Sequence, residues 1–453
     1  MTKWLECLGH SGKDLNDLNV IHVAGTNGKG STCIFTEALL LAHARSTGFP
    51  AKIGVYTSPH LHTVRERIRI NGSQISEAMF AKYFFEAWDV LPKEASPELD
   101  YPRYLQLLAL VSFRVFIREK VDVAIYEAHM GGRYDATNVV ERPVLALLTE
   151  ISLDHCKLLG DRIEDIAWHK SGILKHGSLA LSTVQSEPVK QVIRRQAADL
   201  GVSIDFIGVD TTVSKDIIRN SLACGHQDKN ASLAIAAARV WLKEKRGQDL
   251  ETSTVKEGLH HFSFPGRFQR INDGSCTWYL DGAHNESGLK HAAEWFSDAI
   301  LAGSVPVLVF AHFSTRDSLH LLRILMASLK CRVRFAIFTS YAEQETGKKR
   351  PGMSWRNRDA LDLRSSDMVL AVEKNLTNSF SQPQQDAQMT EWRRLGPGCN
   401  VEAVRSIESA LQRVRAIART VGPVAALVTG SLHLVGGADY LLHDSSQAMQ
   451  GGQ

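Results

Sequence analysis

Hydrophobic and polar positions in the first half of the chain alternate between two kinds of run. Short apolar runs of strand length occur at Val20–Val23, Ala51–Tyr56, Val121–Tyr126 and Val144–Thr149. Longer runs with the helical spacing of apolar residues lie between or after them, at Phe80–Val90, Tyr104–Glu119 and Ile163–Leu174. Strands that alternate with helices predict a mostly parallel sheet covered on both faces. Ligands of such sheets bind at the carboxyl ends of the strands.

A second series of strand-like runs begins near residue 277. Its members are Trp278–Leu280, Val305–Phe310, Val333–Phe338 and Val424–Val428. The Pro-Gly turn within Phe262–Phe268 separates the two series and is typical of a domain junction. We therefore predict one domain over residues 1–268 and a smaller one over 269–453, which agrees with a length of 453 residues.

Two segments carry weak patterns. The chain turns polar from about Tyr341 to Arg394, and the later part of this stretch, with the Gln-rich run Ser381–Asp386, predicts a long loop. The tail Ser445–Gln453 is predicted to be disordered.

Composition narrows the classes of function. Apolar residues make up 44% and charged residues 22% of the chain, as in soluble globular proteins. A net charge of +3 indicates neither a nucleic acid nor a membrane as partner. Seven scattered cysteines, with no CxxC pair, favour reduced thiols. Because no apolar run reaches membrane-spanning length and the N-terminus lacks a targeting pattern, we expect a cytoplasmic protein.

The most informative motif is His22–Ser31, which reads His-Val-Ala-Gly-Thr-Asn-Gly-Lys-Gly-Ser. It joins an apolar run to the helix-like run Thr32–Ala42. A strand, a glycine-rich turn with a lysine and a helix form a cradle for phosphates, in which backbone N–H groups, the lysine charge and the helix N-terminus face the anion. Gly30 stands where the Walker A motif has Ser or Thr, so the loop is a variant.

Polar residues follow two further strands of the first half. Ser58 and His60 come just after one strand, and Glu127 ends the next. A carboxylate at the end of a buried strand beside a phosphate loop suits Mg²⁺, which keeps several waters and takes few protein oxygens. Two plainer interpretations stand beside this one: a proline turn at Ser58 to His60, and an ion pair between Glu127 and Arg133.

The pair Asp154-His155 follows the Val144–Thr149 run and would lie close to Glu127. Ser58, Glu127 and His155 could then share one cation, although Mg²⁺ prefers oxygen over histidine nitrogen. A simple turn is the alternative for Asp154-His155.

In the second series, Asp281–Asn285 ends a strand and, together with Arg267, could reach a nucleotide. Asp-Gly is also a strong turn dipeptide, which is the alternative interpretation.

Together these segments resemble the folylpolyglutamate synthase and dihydrofolate synthase family, part of the Mur ligase group of ATP-dependent amide-forming enzymes. The resemblance extends from Trp4 to about Leu442, and the wording of Arg65–Gly72 and Phe80–Asp89 is similar to the eukaryotic, particularly fungal, branch. Its most specific segments are His22–Cys33, Thr57–Gly72, Gly131–Asn138, Leu153–Lys175, Gly225–Asn230, Pro265–Phe268, Asp281–Asn285 and Val428–Gly437. The resemblance implies an α/β fold: an N-terminal P-loop ATPase domain of Mur-ligase type with a mostly parallel sheet, and a smaller C-terminal Rossmann-like α/β domain.

The resemblance also implies the reaction and its participants. ATP phosphorylates a carboxylate to an acyl phosphate, the α-amine of L-glutamate attacks it, and an amide forms with release of ADP and phosphate. The implied cofactors are ATP and Mg²⁺, with a monovalent cation near the phosphate loop as an addition. The partners are a small carboxylate acceptor and L-glutamate, and the chain is expected to be a monomer.

Site residues follow by matching positions. Lys29, Glu127, His155 and Lys170 are the implied catalytic residues, and Ser58, Glu127 and His155 the implied metal ligands. Lys170 matches a lysine that relatives carbamylate, and a plain surface lysine is the alternative. The implied nucleotide-binding residues are Thr26, Asn27, Gly28, Lys29, Gly30, Ser31, Asn230, Arg267, Asp281 and His284.

One departure from the family pattern leaves the acceptor open. The chain reads Glu127-Ala-His-Met-Gly-Gly-Arg133 where the family usually has Glu-Val-Gly-x-Gly-Gly-Arg, and we expect His129 to crowd the site beside the metal. We expect a folate enzyme, because base rates favour that acceptor. The alternatives are a recruited paralogue that joins an amino acid to another carboxylic acid, or a nucleotide-binding relative that no longer catalyses. Retention of Lys29, Glu127, His155 and Lys170 argues against the inactive relative.

Overall fold

The computed structural model describes residues 1–91, 101–210, 225–313, 317–344 and 382–450. The chain divides into two compact units. Residues 1–60 and 64–263 form the first unit, and residues 61–63 with 264–453 form the second.

The first unit is built around an eight-stranded sheet with the order β4-β3-β2-β5-β1-β6-β7-β8. Its strands are β1 Ile21–Ala24, β2 Ile53–Tyr56, β3 Ile68–Ile70, β4 Ser73–Gln74, β5 Val123–Glu127, β6 Leu145–Leu148, β7 Leu179–Thr183 and β8 Ile204–Ile207. The two pairings at one edge, β2 with β3 and β3 with β4, are antiparallel, and all other pairings are parallel.

The helices of the first unit follow the strands in alternation. They are α1 Thr2–Cys7, α2 Gly12–Asn16, α3 Lys29–Thr47, α4 Glu77–Val90, α5 Tyr104–Glu119, α6 Cys156–Leu159, α7 Ile163–Ser171, α8 Glu187–Asp199, α9 Gly225–Arg246 and α10 Thr252–His260, with short 3-10 turns at Val64–Arg67 and Ala136–Val139.

Helix α3 is the central helix of this unit. It is bounded by two glycines, Gly28 and Gly48, both in the left-handed region at φ +84° and +77°, where other residues are strained. Both α9 and α10 pack against it, and the ring of Phe35 stacks on Phe262 with centroids 3.6 Å apart. Because α3 is buried on several sides, its own apolar residues are distributed around the helix instead of forming one stripe.

The second unit contains a six-stranded sheet with the order β13-β12-β11-β14-β10-β9. Only the pairing of β9 with β10 is antiparallel among its described strand pairs. Its elements are β9 Gln269–Asp273, β10 Cys276–Leu280, α11 Glu286–Ala299, β11 Val305–Phe310, α12 Ser318–Ser328, β12 Phe335–Phe338, α13 Gln382–Leu395, β13 Asn400–Ala403, α14 Ile407–Val421, β14 Val424–Thr429 and α15 Leu432–Gln450. Strands β10, β11 and β14 and helices α14 and α15 enclose its main core.

The predicted α/β class is confirmed, and the predicted strands and helices occur with shifts of a few residues at their ends. The antiparallel edge strands β3 and β4 and the strands β7 and β8 were not predicted. β3 and β4 are too short to show a period, and β8 is only partly buried, so its apolar pattern is weak.

Two predictions of irregular structure are wrong where the structure describes them. Residues 382–394 of the predicted loop belong to helix α13, while 345–381 lie outside the described residues. Trp392 is fully buried, and Gln385 and Gln388 donate to the carbonyls of Phe338 and His312, so glutamines that look solvent-exposed in the sequence are buried and hydrogen-bonded.

The prediction that the tail is disordered from Ser445 is also wrong where the structure describes it. Helix α15 continues to Gln450, with only 451–453 outside the described residues. Its first turns pack into the core through Leu434, Val435 and Ala438, which nucleates a helix that continues through the polar residues. Among the described helices, none has the length and apolar character needed to cross a bilayer.

The close packing of Gly54 against Phe116 predicts that a larger residue at position 54 destabilises the protein. A Cβ at this strand position would lie 2.8 to 3.0 Å from ring atoms of the buried Phe116. Gly54→Ala should therefore lower the free energy of unfolding by about 1–3 kcal/mol, as overpacked cores do. Gly208→Ala is the control, because a Cβ there has no atom within 4 Å. Urea unfolding followed by tryptophan fluorescence checks this, and equal midpoints for the two variants would contradict it.

Candidate functional site

The loop between β1 and α3 places a helix N-terminus at the carboxyl edge of the first sheet. The first hydrogen bond into the helix runs from the Thr32 N–H to the Gly28 carbonyl at 2.9 Å. The N–H groups of Lys29, Gly30 and Ser31 therefore lie in the first turn, where the helix offers them no carbonyl partner. Such N–H groups, with the positive end of the helix dipole, form a site for phosphate.

Glycine is required on both sides of this cradle. Gly28 has φ +84°, and a Cβ there would collide with the side chain of Asn230 from α9. A Cβ at Gly25 would collide with the side chain of Thr149. The loop thus fits closely between α9 and the end of β6, and the structure brings the predicted residue Asn230 against it.

Thr26 ties the loop to the segment that follows β6. Its N–H donates to the Glu150 carbonyl at 2.7 Å, and its hydroxyl donates to the Ser152 carbonyl at 2.9 Å. The Ser152 N–H in turn donates to the Thr26 hydroxyl at 3.0 Å. These bonds hold the phosphate loop beside the chain that leads to Asp154 and His155.

Lys29 and Glu127 form a largely buried ion pair. Lys29 Nζ lies 3.9 Å from Glu127 Oε1, with the two side chains 15% and 5% exposed, and also donates to the Thr26 carbonyl at 3.2 Å. Ser58 N–H donates to Glu127 Oε2 at 2.9 Å. Three of the predicted residues, at the start of α3, after β2 and at the end of β5, therefore meet around one carboxylate.

Lys170 approaches the same loop from α7. Its Nζ donates to the Gly25 carbonyl at 2.6 Å, and the residue is only 3% exposed. Burial, together with the charge of Lys29, lowers the pKa of Lys170 to about 7, against the opposing effect of Asp154 and Asp135. Lys170 is thus not the surface lysine of the alternative interpretation, but a buried amine whose pKa lies near neutral pH.

His155 stands in the left-handed region, at φ +53°, at the start of the short helix α6. Its ring Nε2 lies 3.8 Å from the carboxylate of Asp154, and its N–H donates to the same carboxylate at 2.7 Å. Among the described residues, no group of three or more His, Cys, Asp or Glu side chains is placed to hold a metal. The predicted set, with one serine, one glutamate and one histidine, remains a prediction.

His129 is buried in the turn that follows Glu127. Its ring is 5% exposed, with Nε2 2.7 Å from the Tyr56 hydroxyl and Nδ1 3.3 Å from Asp135. Both ring nitrogens thus have partners inside the unit. The expectation that His129 crowds the metal position stays a prediction.

Asp135 is a residue of the site region that the sequence reasoning missed. Its carboxylate accepts hydrogen bonds from the N–H groups of His129, Met130 and Thr137. Burial would raise the pKa of Asp135, but these donors and the His129 ring hold it well below its usual range. Its signal in the sequence is the Tyr-Asp-Ala-Thr-Asn run at 134–138, which belongs to one of the segments that resemble the family.

The predicted nucleotide residues of the second unit gather at the end of β10. Asp281 is buried, and its carboxylate accepts hydrogen bonds from the Phe268 N–H at 2.9 Å and the Ala283 N–H at 3.0 Å. Burial raises its pKa, and the charge of Arg267 opposes that effect. A Cβ at Gly282 would collide with the Arg267 guanidinium, and His284 Nδ1 lies 2.9 Å from the Gly282 carbonyl. Arg267, Asp281 and His284 thus form one cluster.

Several known proteins are similar to this chain in sequence or in fold. No protein-family model matches the chain. Folylpolyglutamate synthase from Neurospora crassa is 38% identical over 463 aligned residues, which cover 97% of this chain and 84% of that protein. A mitochondrial folylpolyglutamate synthase from Bos taurus is 37% identical over 75% of this chain and 62% of its own length. Among solved structures, the Mycobacterium tuberculosis folylpolyglutamate synthase complexed with ADP has a TM-score of 0.75 at 24% identity, covering 97% of this chain and 93% of that one.

The buried lysine predicts a pH dependence of stability. The pKa of Lys170 is about 7 in the folded protein, while an unfolded chain has the ordinary lysine value of 10.5. Between these two pH values the unfolded chain therefore binds more protons than the folded one. The stability of the first unit should therefore rise with pH in this window, by at most about 1.4 kcal/mol per pH unit. Lys170→Met should remove this rise.

Chemical unfolding of the two proteins at pH 7, 8 and 9 measures the effect. Lys82→Met, which changes an exposed lysine of the same unit, is the control. An unchanged pH slope in Lys170→Met would show that the folded protein does not hold an uncharged amine at this position.

Proposed function

Because the chain belongs to the folylpolyglutamate synthase family, we propose that the loop Thr26–Ser31 binds the phosphates of ATP and that the residues around it activate the acceptor carboxylate. The protein is an ATP-dependent ligase that adds L-glutamate to a folate. One observation carries the assignment of the site: a helix N-terminus, Lys29 and Glu127 converge at the carboxyl edge of a parallel sheet.

The chemistry we assign to this site is formation of an acyl phosphate. An oxygen of the acceptor carboxylate bonds to the γ-phosphorus of ATP as the bond to the β,γ-bridging oxygen breaks, and ADP leaves. The α-amine of glutamate then bonds to the acyl carbon, loses a proton and displaces phosphate. Lys29 would lie against the transferred group and offset its negative charge, since phosphoryl transfer depends mainly on positioning and electrostatics.

Magnesium fits the donor chemistry of Ser58 and Glu127. Both present oxygen, the ligand type that Mg²⁺ prefers, and the Ser58 N–H already orients the Glu127 carboxylate. His155 would complete the set with a nitrogen, an uncommon ligand for this ion. When bound, Mg²⁺ would offset phosphate charge, while Lys29 and the helix N-terminus hold the phosphate oxygens.

Lys170 fits a role as a carbamate. An amine must be unprotonated to react with carbon dioxide, and a pKa near 7 supplies that form at neutral pH. The neutral amine forms the N–C bond to carbon dioxide and loses one proton, which gives an anion beside Lys29; starting from the protonated amine, two protons are released in all. This change would remove the repulsion between the two lysines.

We propose that Asn230 of the first unit is a nucleotide-binding residue, and that Arg267, Asp281 and His284 are nucleotide-binding residues of the second. Their clustering at the end of β10 supports this role. We further propose that the protein acts as a monomer and works in the cytoplasm. Six free cysteines among the described residues support a reducing compartment. Gel filtration with light scattering and imaging of a tagged full-length chain test these two points.

The acceptor can be identified directly. The purified protein should convert tetrahydrofolate mono-glutamate to longer glutamates in the presence of ATP, Mg²⁺ and L-glutamate, with one ADP released per glutamate added. Mass spectrometry of the products and an ADP assay measure both quantities. Turnover with other carboxylic acids but not with any folate would contradict the assigned acceptor.

Lys29 tests the phosphate site. Lys29→Ala should lower kcat by at least about 10²-fold, because it removes a charge that acts on the transferred phosphoryl group. Lys82→Ala, an exposed lysine in the same unit, should keep wild-type turnover. Near-normal acyl-phosphate formation by Lys29→Ala, read as phosphate release, would show that the loop is misassigned.

A further inference from the structure

His129 lies between the two loops that carry the proposed oxygen ligands. Tyr56 ends β2, two residues before Ser58, and Glu127 ends β5, two residues before His129. The Tyr56 hydroxyl is 2.7 Å from His129 Nε2, and the two rings meet edge to face at 5.4 Å. One side-chain contact therefore connects the loop of Ser58 to the loop of Glu127.

The other side of the ring is held by Asp135. His129 Nδ1 lies 3.3 Å from Asp135 Oδ1, while the N–H groups of His129 and Met130 donate to Asp135 Oδ2, each at 3.0 Å. Asp135 also accepts from the hydroxyl of Thr137 at 2.7 Å. The turn that follows Glu127 is thus folded around one buried carboxylate.

The same network reaches the strand that leads into the phosphate loop. Thr137 gives its hydroxyl proton to Asp135, so it must accept from His22 Nε2, 2.8 Å away on β1. This assigns the proton of His22 to Nε2, and burial lowers the pKa of His22 to about 4, so the ring is neutral. Tyr56, His129, Asp135, Thr137 and His22 form one chain of contacts that spans β2, β5 and β1, and we call it the strand-end network.

We propose that His129 is a positioning residue, which holds the Ser58 and Glu127 loops at the separation that a divalent cation requires. This inference rests on the magnesium site proposed above. Without the imidazole, the Tyr56–His129 contact that joins the two loops is lost, and a buried hydroxyl is costly to leave with fewer partners. The Asp135 carboxylate keeps its bonds from the backbone N–H groups and from Thr137, so the turn itself stays folded. The two loops would shift to recover partners, and the cation would bind less tightly. Nucleotide binding without the metal depends on the phosphate loop and would change little.

The experiment measures metal binding apart from turnover. The full-length protein with a non-hydrolysable ATP analogue is titrated with Mn²⁺ by electron paramagnetic resonance, and Mg²⁺ activation of folate glutamylation is measured in parallel. His129→Ala should weaken Mn²⁺ binding about 10-fold or more, as the loss of residues that orient metal ligands does. Affinity for the analogue without metal should stay within about 2-fold of wild type.

Two further variants separate positioning from a general loss of structure. Tyr56→Phe removes the same hydrogen bond, so its effect on Mn²⁺ binding and that of His129→Ala should not add in the double variant. His129→Gln, whose amide offers an acceptor to Tyr56 and a donor to Asp135, should restore most of the affinity. His43→Ala is the matched control: it removes a buried histidine of the same unit that bonds to Gln248, and should leave Mn²⁺ binding unchanged.

Wild-type Mn²⁺ affinity in His129→Ala, or additive effects of the two single substitutions, would overturn the positioning role. An equal loss in His43→Ala would do the same, because it would show general destabilisation. A failure of the proposed function gives a different result, since the wild-type protein would then bind Mn²⁺ and nucleotide without any glutamylation of folate.

Discussion

The buried charge of Lys29 is the constraint around which the first unit is organised. A cation at the edge of a sheet, largely shielded from water, must be offset by a nearby anion or lose its charge. Glu127 supplies the anion at 3.9 Å, and the Ser58 N–H orients that carboxylate. Burial, together with the same charge, lowers the pKa of Lys170 and favours its neutral form. An incoming phosphate would therefore meet a lysine and a helix N-terminus that these contacts already hold in place.

The sheet order brings these groups together. Strand β5 lies between β2 and β1, and β6 lies on the other side of β1, so the loops after four neighbouring strands open at one edge. In the register, Val23 faces Glu127 across the β1–β5 pair and Tyr56 faces Tyr126 across the β2–β5 pair. Glu127 therefore ends its strand level with the start of the phosphate loop. A shift of one residue in either register would turn its side chain to the other face of the sheet.

Behind this edge lies the strand-end network, which is polar, buried and shared by β1, β2 and β5. Networks of this kind make a unique geometry because every member must find its partner. The imidazole of His129 makes contacts with Tyr56 and Asp135 that a glycine at this position could not make.

The sequence by itself determined the α/β class, the phosphate loop and the family, because alternating apolar runs and a glycine-lysine turn are local signals. It also made Lys29, Glu127 and Lys170 candidate site residues, since each belongs to a motif that is recognisable without coordinates. Only the tertiary structure decided that Lys170 is buried against Gly25, that His129 turns toward Tyr56 and Asp135, and that the glutamines of α13 are internal. Their partners are separated by as many as 145 residues for Lys170 and Gly25, and no local pattern encodes a contact of that range. Burial, hydrogen-bond partners and pKa depend on which strands become neighbours, and that is a property of the folded sheet.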